Sequence, residues 1–221
     1  MKIELHCHTS EGSRCGQWSA AEVMKELKSK GYDAVVITNH FPYYYSKTPE
    51  PDNTPYSPEK FINAYKIAAK EGEKYGIRVF FGMEFTDRDW TGDFLVYGDN
   101  KFITDRYPEV FNLKIPEFAQ LCRENGALLY QAHPFRTGTR IVNPNHLFGI
   151  EVLNGAVKHD SRNDIAALWA DKFKLHRIGG SDSHETGQYG TVAVVTDMDV
   201  KTNEDLVEML RTDNYRIEHY E

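Results

Sequence analysis

Cysteine is scarce: Cys7, Cys15 and Cys122 are the only three in 221 residues. An odd, small number cannot staple a chain of this length, so a disulfide scaffold is excluded and a reducing compartment is the simpler setting. No stretch approaches the roughly 18 consecutive apolar residues that a membrane helix needs. The opening Met1-Lys2-Ile3-Glu4-Leu5 also lacks the apolar region of a signal peptide, so the expectation is a cytoplasmic protein with no membrane association. Surplus positive charge is missing as well: 26 Lys and Arg against 33 Asp and Glu leave a formal charge of −7. That argues against a general basic surface wrapped around nucleic acid. Two catalytic signatures are also absent, the Gly-x-Ser-x-Gly elbow of serine hydrolases and the Gly-x-x-x-x-Gly-Lys phosphate loop.

What is present suits one compact domain spanning residues 1–221, with 40% hydrophobic and 27% charged residues. Residues 2–9 alternate and end in a polar cluster, which predicts a strand running into a loop. Residues 18–30 have helical spacing, with Ser19 as N-cap and Gly31 as stop. Residues 33–38 form a short apolar run of the kind buried on both faces of a parallel sheet. Further helices are expected at 58–75, 115–125, 162–174 and 203–212. Further strands are expected at 78–85, 94–97, 127–132, 149–153, 176–179, 191–196 and 215–219. Strands alternating with helices over the whole chain predict a parallel α/β fold. Two irregular stretches, 41–57 and 134–148, each follow a strand directly and would stand over the functional face of a barrel.

Five of the nine histidines, His6, His8, His40, His133 and His184, fall at the C-terminal ends of expected strands. In a parallel barrel those ends converge on one rim. His6 and His8 share a strand face, and they fit either a cation-binding pair or a polar strand edge. Glu84 and Asp182 fall at strand ends too, and imidazole with carboxylate suits zinc, iron or manganese. His133 precedes Pro134, which predicts an extended backbone there. Asp93 begins a strand rather than ending one, and it reads equally as a ligand or as the acid of the Thr91-Gly92-Asp93 turn.

The segments His6-Cys7-His8-Thr9, Thr38-Asn39-His40, Gly82-Met83-Glu84, Ala132-His133-Pro134 and Gly180-Ser181-Asp182-Ser183-His184 together resemble the PHP family, the polymerase and histidinol phosphatase domains. The likeness runs in order from the first strand to about residue 190. It implies a distorted seven-stranded β/α barrel holding two or three divalent ions, zinc, manganese or iron. By that resemblance one ion would take His6, His8, Glu84 and Asp182, a second Glu84, His133 and Asp93, and a third His40 and His184. Asp93 stands where the family usually has histidine, which would favour a harder ion. The histidine expected shortly after the His-x-His pair is absent; Glu11 or Cys15 would have to replace it, and Glu11 is the preferred substitute.

The implied reaction is hydrolysis of a phosphoester by water, with Glu84, Asp182 and His184 as the residues on which catalysis depends. Arg136, Arg14, Arg162 and His159 are the candidates to grip the phosphate of a small phosphorylated substrate. Glu151 and Asn154 are expected to orient ligands or substrate. Two other functions stay open: a nuclease-like domain, and a non-catalytic metal-stabilised module serving a protein partner.

Overall fold

A computed structural model describes residues 1–50 and 53–220. In chain order the elements are β1 (Lys2–Cys7), α1 (Ala20–Ser29), β2 (Ala34–Ile37), β3 (His40–Pro42), α2 (Pro58–Tyr75), β4 (Arg78–Thr86), β5 (Asp93–Tyr97), α3 (Lys101–Thr104), α4 (Ile115–Glu124), β6 (Leu128–Gln131), β7 (Gly149–Asn154), α5 (Asn163–Phe173), β8 (His176–Gly180), β9 (Val192–Val195), α6 (Asn203–Arg211) and β10 (Arg216–His219). Local chemistry sets several boundaries. Ser19 and Glu22 form a capping box at α1, and Ser57 caps α2 with Pro58 in its first turn. Gly76, at φ 63°, ends α2 in the left-handed region that a side chain disfavours. The irregular stretch expected over 41–57 contains the 3-10 turn Tyr43–Lys47, and its residues 51 and 52 lie outside the described residues.

The strands make one ten-stranded sheet in the order β10-β9-β1-β2-β4-β5-β6-β7-β8, with β3 added beside β4. The parallel α/β architecture expected is present in a mixed sheet, with ten strands where seven were implied. The pairs β1/β2, β2/β4, β3/β4, β6/β7 and β7/β8 are parallel, while β5 runs antiparallel to both β4 and β6. The reason lies in chain length. Only the short link from Asp87 to Gly92 joins β4 to β5, and a parallel crossover needs about a dozen residues or more.

The sheet curls until its far edge returns to β1. Asp182 N–H donates to the His6 carbonyl at 2.9 Å and His8 N–H to the Ser183 carbonyl at 3.3 Å. So close an approach needs Gly180, where a Cβ would fall 2.3 Å from the Cβ of His6. The result is a nearly closed barrel of the distorted α/β type expected. Ile3, Leu5, Val36, Phe80, Leu95 and Tyr130 fill its interior, and Leu206, Met209 and Leu210 of α6 pack against them. Each of those α6 side chains contributes roughly 1.5–3 kcal/mol by burial, so Leu206→Ala would cost about 2–5 kcal/mol. The apolar filling at this end leaves the polar chemistry to the opposite rim.

Candidate metal centre

His6 lies near the end of β1 and His8 just after it, β3 opens with His40, β4 carries Glu84 near its end, and His133 follows β6. Asp182 and His184 follow β8. Asp93 reaches the same rim because β5 is antiparallel: its first residue pairs with Thr86 at the end of β4. The side chains gather into three overlapping groups, His6/His8/Glu84/Asp182, Glu84/Asp93/His133 and His8/His40/His184, within each of which the donor atoms all lie within 4.8 Å of one another. Glu84 joins the first two groups and His8 the first and third.

Hydrogen bonds fix which ring nitrogens face inward. His6 Nδ1 lies 2.9 Å from Glu151 Oε1 and donates to that carboxylate. His8 Nδ1 sits 3.0 Å from Ser13 Oγ. The Ser13 hydroxyl gives its own proton to Asn39 Oδ1 at 3.0 Å, an oxygen identified as acceptor by the Thr9 N–H at 2.8 Å. His8 Nδ1 is therefore the donor. His184 Nδ1 donates to the Asp182 carbonyl at 3.0 Å. In all three rings Nε2 is left to point into the cluster, the arrangement by which an outer partner orients a ligating histidine.

Glu151 serves two strands at once: its Oε2 also accepts the His133 N–H at 2.9 Å and the Asn154 amide at 2.9 Å. That hold accounts for the backbone at His133, which is not extended as the following proline predicts but has φ 28°. Asp182, in the same cluster, has φ 51°, and such outliers concentrate at functional sites.

The electrostatics match. Burial opposes charge on His6, but Asp182, Glu151 and Glu84 outweigh it and hold its pKa well above the ordinary imidazole value. Burial likewise opposes ionisation of Glu84, yet His40 and His6 keep it well below the usual carboxylate range. Asp182 is held low in the same way, against burial, by His6, His8, His133 and Arg136. His184 goes the other way, pushed down to about 3 by burial and by His8. The carboxylates thus create a demand for positive charge at their centre. His6 Nε2, His8 Nε2 and Glu84 Oε2 are buried there without hydrogen-bond partners, which native structures seldom tolerate. Imidazole and carboxylate donors so placed fit divalent ions of the zinc, manganese or iron kind.

A cavity of about 290 Å³ opens over the cluster, lined by Arg136, Lys158 and His159 among others. Arg136 donates to Asp182 Oδ2 at 2.7 Å and Asn154 Oδ1 at 3.0 Å, so it braces a ligand as well as facing the cavity. The other expected sites fall elsewhere. Arg14 lies 4.1 Å from the ring centroid of Tyr45 and donates to Glu50 at 2.9 Å, and it is not among the cavity's lining residues. Arg162 is also outside that lining, reaching Thr137 at 3.4 Å from an exposed position. Both carboxylate oxygens of Glu11 accept the N–H of Ala20, at 3.0 and 3.1 Å, so its charge caps α1 and does not join His40 and His184.

Sequence reasoning missed Lys158 and Glu4. Glu4 Oε1 accepts the N–H groups of both His6 and Ser181 at 2.9 Å, clasping β1 to the Ser181-Asp182 segment. Burial, stronger than those hydrogen bonds, pushes its pKa up to about 7. The available signal was its position in the period-2 series Glu4, His6, His8, which alternates with the apolar Ile3, Leu5 and Cys7.

Comparison with known proteins follows this geometry. Residues 160–215 match a family model described as PHP-associated. A two-domain protein from Bacteroides vulgatus containing a predicted PHP-like metal-dependent phosphoesterase superposes with a TM-score of 0.71 at 19% identity, covering 100% of this chain and 65% of its own. The chain thus spans less than two thirds of that relative. A lesion-specific endonuclease from Pyrococcus furiosus gives 0.65 at 16% identity, over 98% of this chain and 57% of its own. An amidohydrolase from Chromobacterium violaceum, solved with bound sulfate, gives 0.58 at 14% identity, over 99% and 98%. No curated protein sequence matches the chain at significant similarity. The superpositions show that the chain has the fold of these proteins, and residues 160–215 are similar to the PHP-associated family. No helix among the described residues is long and apolar enough to cross a membrane.

Proposed function

We propose that the protein is a divalent-metal-dependent phosphoesterase, a single cytoplasmic catalytic domain that hydrolyses a small phosphorylated metabolite. The observation that carries the reading is the convergence of buried, partnerless Nε2 and carboxylate atoms beneath a cavity whose wall holds Arg136, Lys158 and His159. His6, His8, Glu84 and Asp182 would hold one ion, Glu84, Asp93 and His133 a second, and His8, His40 and His184 a third. When bound, such ions lower the pKa of water toward neutrality and neutralise charge on a phosphoryl group.

The chain's own residues do the rest. Glu151 fixes His6 and the His133 backbone, and Glu4 holds the barrel seam on which Asp182 stands. Arg136, braced on Asp182 and Asn154, would present its guanidinium to a phosphate oxygen. Lys158, which bridges to Glu185 at 2.5 Å, would add a second positive charge from the loop after β7. His184, uncharged at neutral pH, offers Nε2 as an acceptor beside the cavity. The net charge of −7 and the small cavity favour a compact substrate over a nucleic acid.

The test is phosphate release by manganese-loaded protein from a panel of sugar phosphates, nucleotides and an aryl phosphate, with single-stranded DNA alongside. Turnover of a small ester that stops on chelation and is absent in Glu84→Ala supports the proposal. Cleavage of DNA alone would move the reading to a nuclease, and no metal-dependent turnover of any substrate would leave a binding module.

A further inference from the structure

A cavity of about 400 Å³ opens at the end of the barrel away from the metal cluster. Leu128 and Leu129, which form its floor, open β6, and the other end of that strand leads to His133. Phe148 supplies an apolar wall and is held by stacking on His176, with ring centroids 4.0 Å apart. Small-molecule sites combine such an apolar lining with a few placed polar groups, in volumes of this order.

Charge sets this cavity apart. Arg123 in the last turn of α4, Arg211 at the end of α6 and His146 line it, and no carboxylate does. In a chain with 33 Asp and Glu against 26 Lys and Arg, that reverses the overall balance. The acids nearest to the two arginines in sequence are engaged elsewhere: Glu124 accepts from Gln120 at 2.8 Å, and both carboxylate oxygens of Asp213 lie 2.9 Å from His176 Nδ1. Arg211 donates to the Gly126 carbonyl at 3.0 Å, and its guanidinium stands 5.9 Å from the centroid of the Phe148 ring, which sets a cation beside the apolar wall. The side chains of Arg123 and His146 have no hydrogen-bond or ion-pair partner among the described residues. Two guanidiniums facing one cavity without a counter-charge repel each other, and an anion between them would relieve that repulsion.

We propose that this cavity is a ligand site for a small organic anion, a carboxylate or phosphate head on an apolar body. Arg123 and Arg211 take the head, because a guanidinium matches the oxygens of either group bidentately. Leu128, Leu129 and Phe148 take the body, so inorganic ions bind poorly for want of apolar surface. The site shares no lining residue with the cavity over the metal cluster and stands whether or not that cluster holds ions.

Calorimetric titration of the protein with 2-naphthoate and, separately, with the non-hydrolysable 2-naphthylphosphonate tests it. At least one probe should bind saturably, and the tighter of the two identifies the head. Arg123→Gln and Arg211→Gln should each weaken that binding about tenfold or more, as loss of a charge-assisted hydrogen bond does. Both residues are exposed, so neither substitution should disturb the fold. The uncharged 2-naphthylmethanol should bind at least about tenfold more weakly for the same reason, and inorganic phosphate should not displace the probe. Crystals soaked with 6-bromo-2-naphthoate should show a bromine anomalous peak against Phe148. No saturable binding of either probe, binding unchanged in the Arg123→Gln/Arg211→Gln double variant, or a bromine peak at the metal rim alone would overturn the proposal.

Discussion

The inner and outer parts of the metal cluster are built to different standards. His6, Glu84 and Asp182 are essentially buried; Glu151 holds the His6 ring, and Glu4 holds the backbone at His6 and at Ser181 beside Asp182. His40 and His184 keep 14% and 24% of their side chains exposed, and the group they share with His8 holds three imidazoles and no carboxylate. The contrast teaches that the barrel holds the inner donors tightly, while the outer group is more open to solvent.

The largest expected effect comes from Glu84→Ala. The substitution removes the carboxylate common to two donor groups, so metal analysis should show the loss of at least one ion and turnover should fall below detection. Circular dichroism should stay close to wild type, because the barrel core lies at the other end. Near-normal turnover would mean that inner and outer groups do not differ in importance.

Next in size is Glu151→Gln, which leaves every ligand in place but weakens the support of His6 and His133. It should lower metal affinity about 10–100-fold, whereas the outer-site substitution His40→Ala should cost one ion and spare the inner pair. Equal losses in both variants would erase the distinction drawn here.

Proton linkage gives a third test. His6 and His40 both have pKa values held well above the ordinary imidazole value, in each case by carboxylates that outweigh the effect of burial. A raised value favours the protonated ring, so an ion binding there must compete with protons. Affinity should rise with pH up to those raised values. Calorimetric titration in two buffers of different ionisation enthalpy should reveal proton release at pH 7, and none would contradict the assignment.

The smallest effect is expected from Asp93→His. Asp93 faces His133 at 3.9 Å and accepts from Thr86 Oγ1 at 2.5 Å, so it stands at the edge of its group. After identical mixed-metal loading, the variant should hold a larger share of zinc relative to manganese with the cluster intact. Unchanged ratios would reduce Asp93 to a turn residue.

Much of this was legible because strand ends are legible. A short apolar run followed by His or Asp places the residue on the rim whatever the details of the sheet, which is why His6, His8, His133 and Asp182 could be named from sequence. Asp93 was legible as a residue and not as a reason, since it reaches the rim only through an antiparallel β5. Arg14 and Arg162 were misjudged because a long side chain near a strand end can turn either way, and theirs were claimed by Tyr45 and Glu50 and by the exposed face near Thr137. Glu11 was misjudged for a similar reason: the start of α1 lies as close as the metals and attracts a carboxylate equally well. Glu4 went unread because an acid inside a strand carries no signal of the partner, 177 residues away, that satisfies it.

The most direct test of the central claim is anomalous diffraction from crystals soaked separately in manganese and in zinc. The account predicts manganese peaks within ligand distance of His6/His8/Glu84/Asp182 and of Glu84/Asp93/His133, and an additional zinc peak among His8, His40 and His184. Ions absent from the rim, or bound only at surface carboxylates away from it, would contradict it.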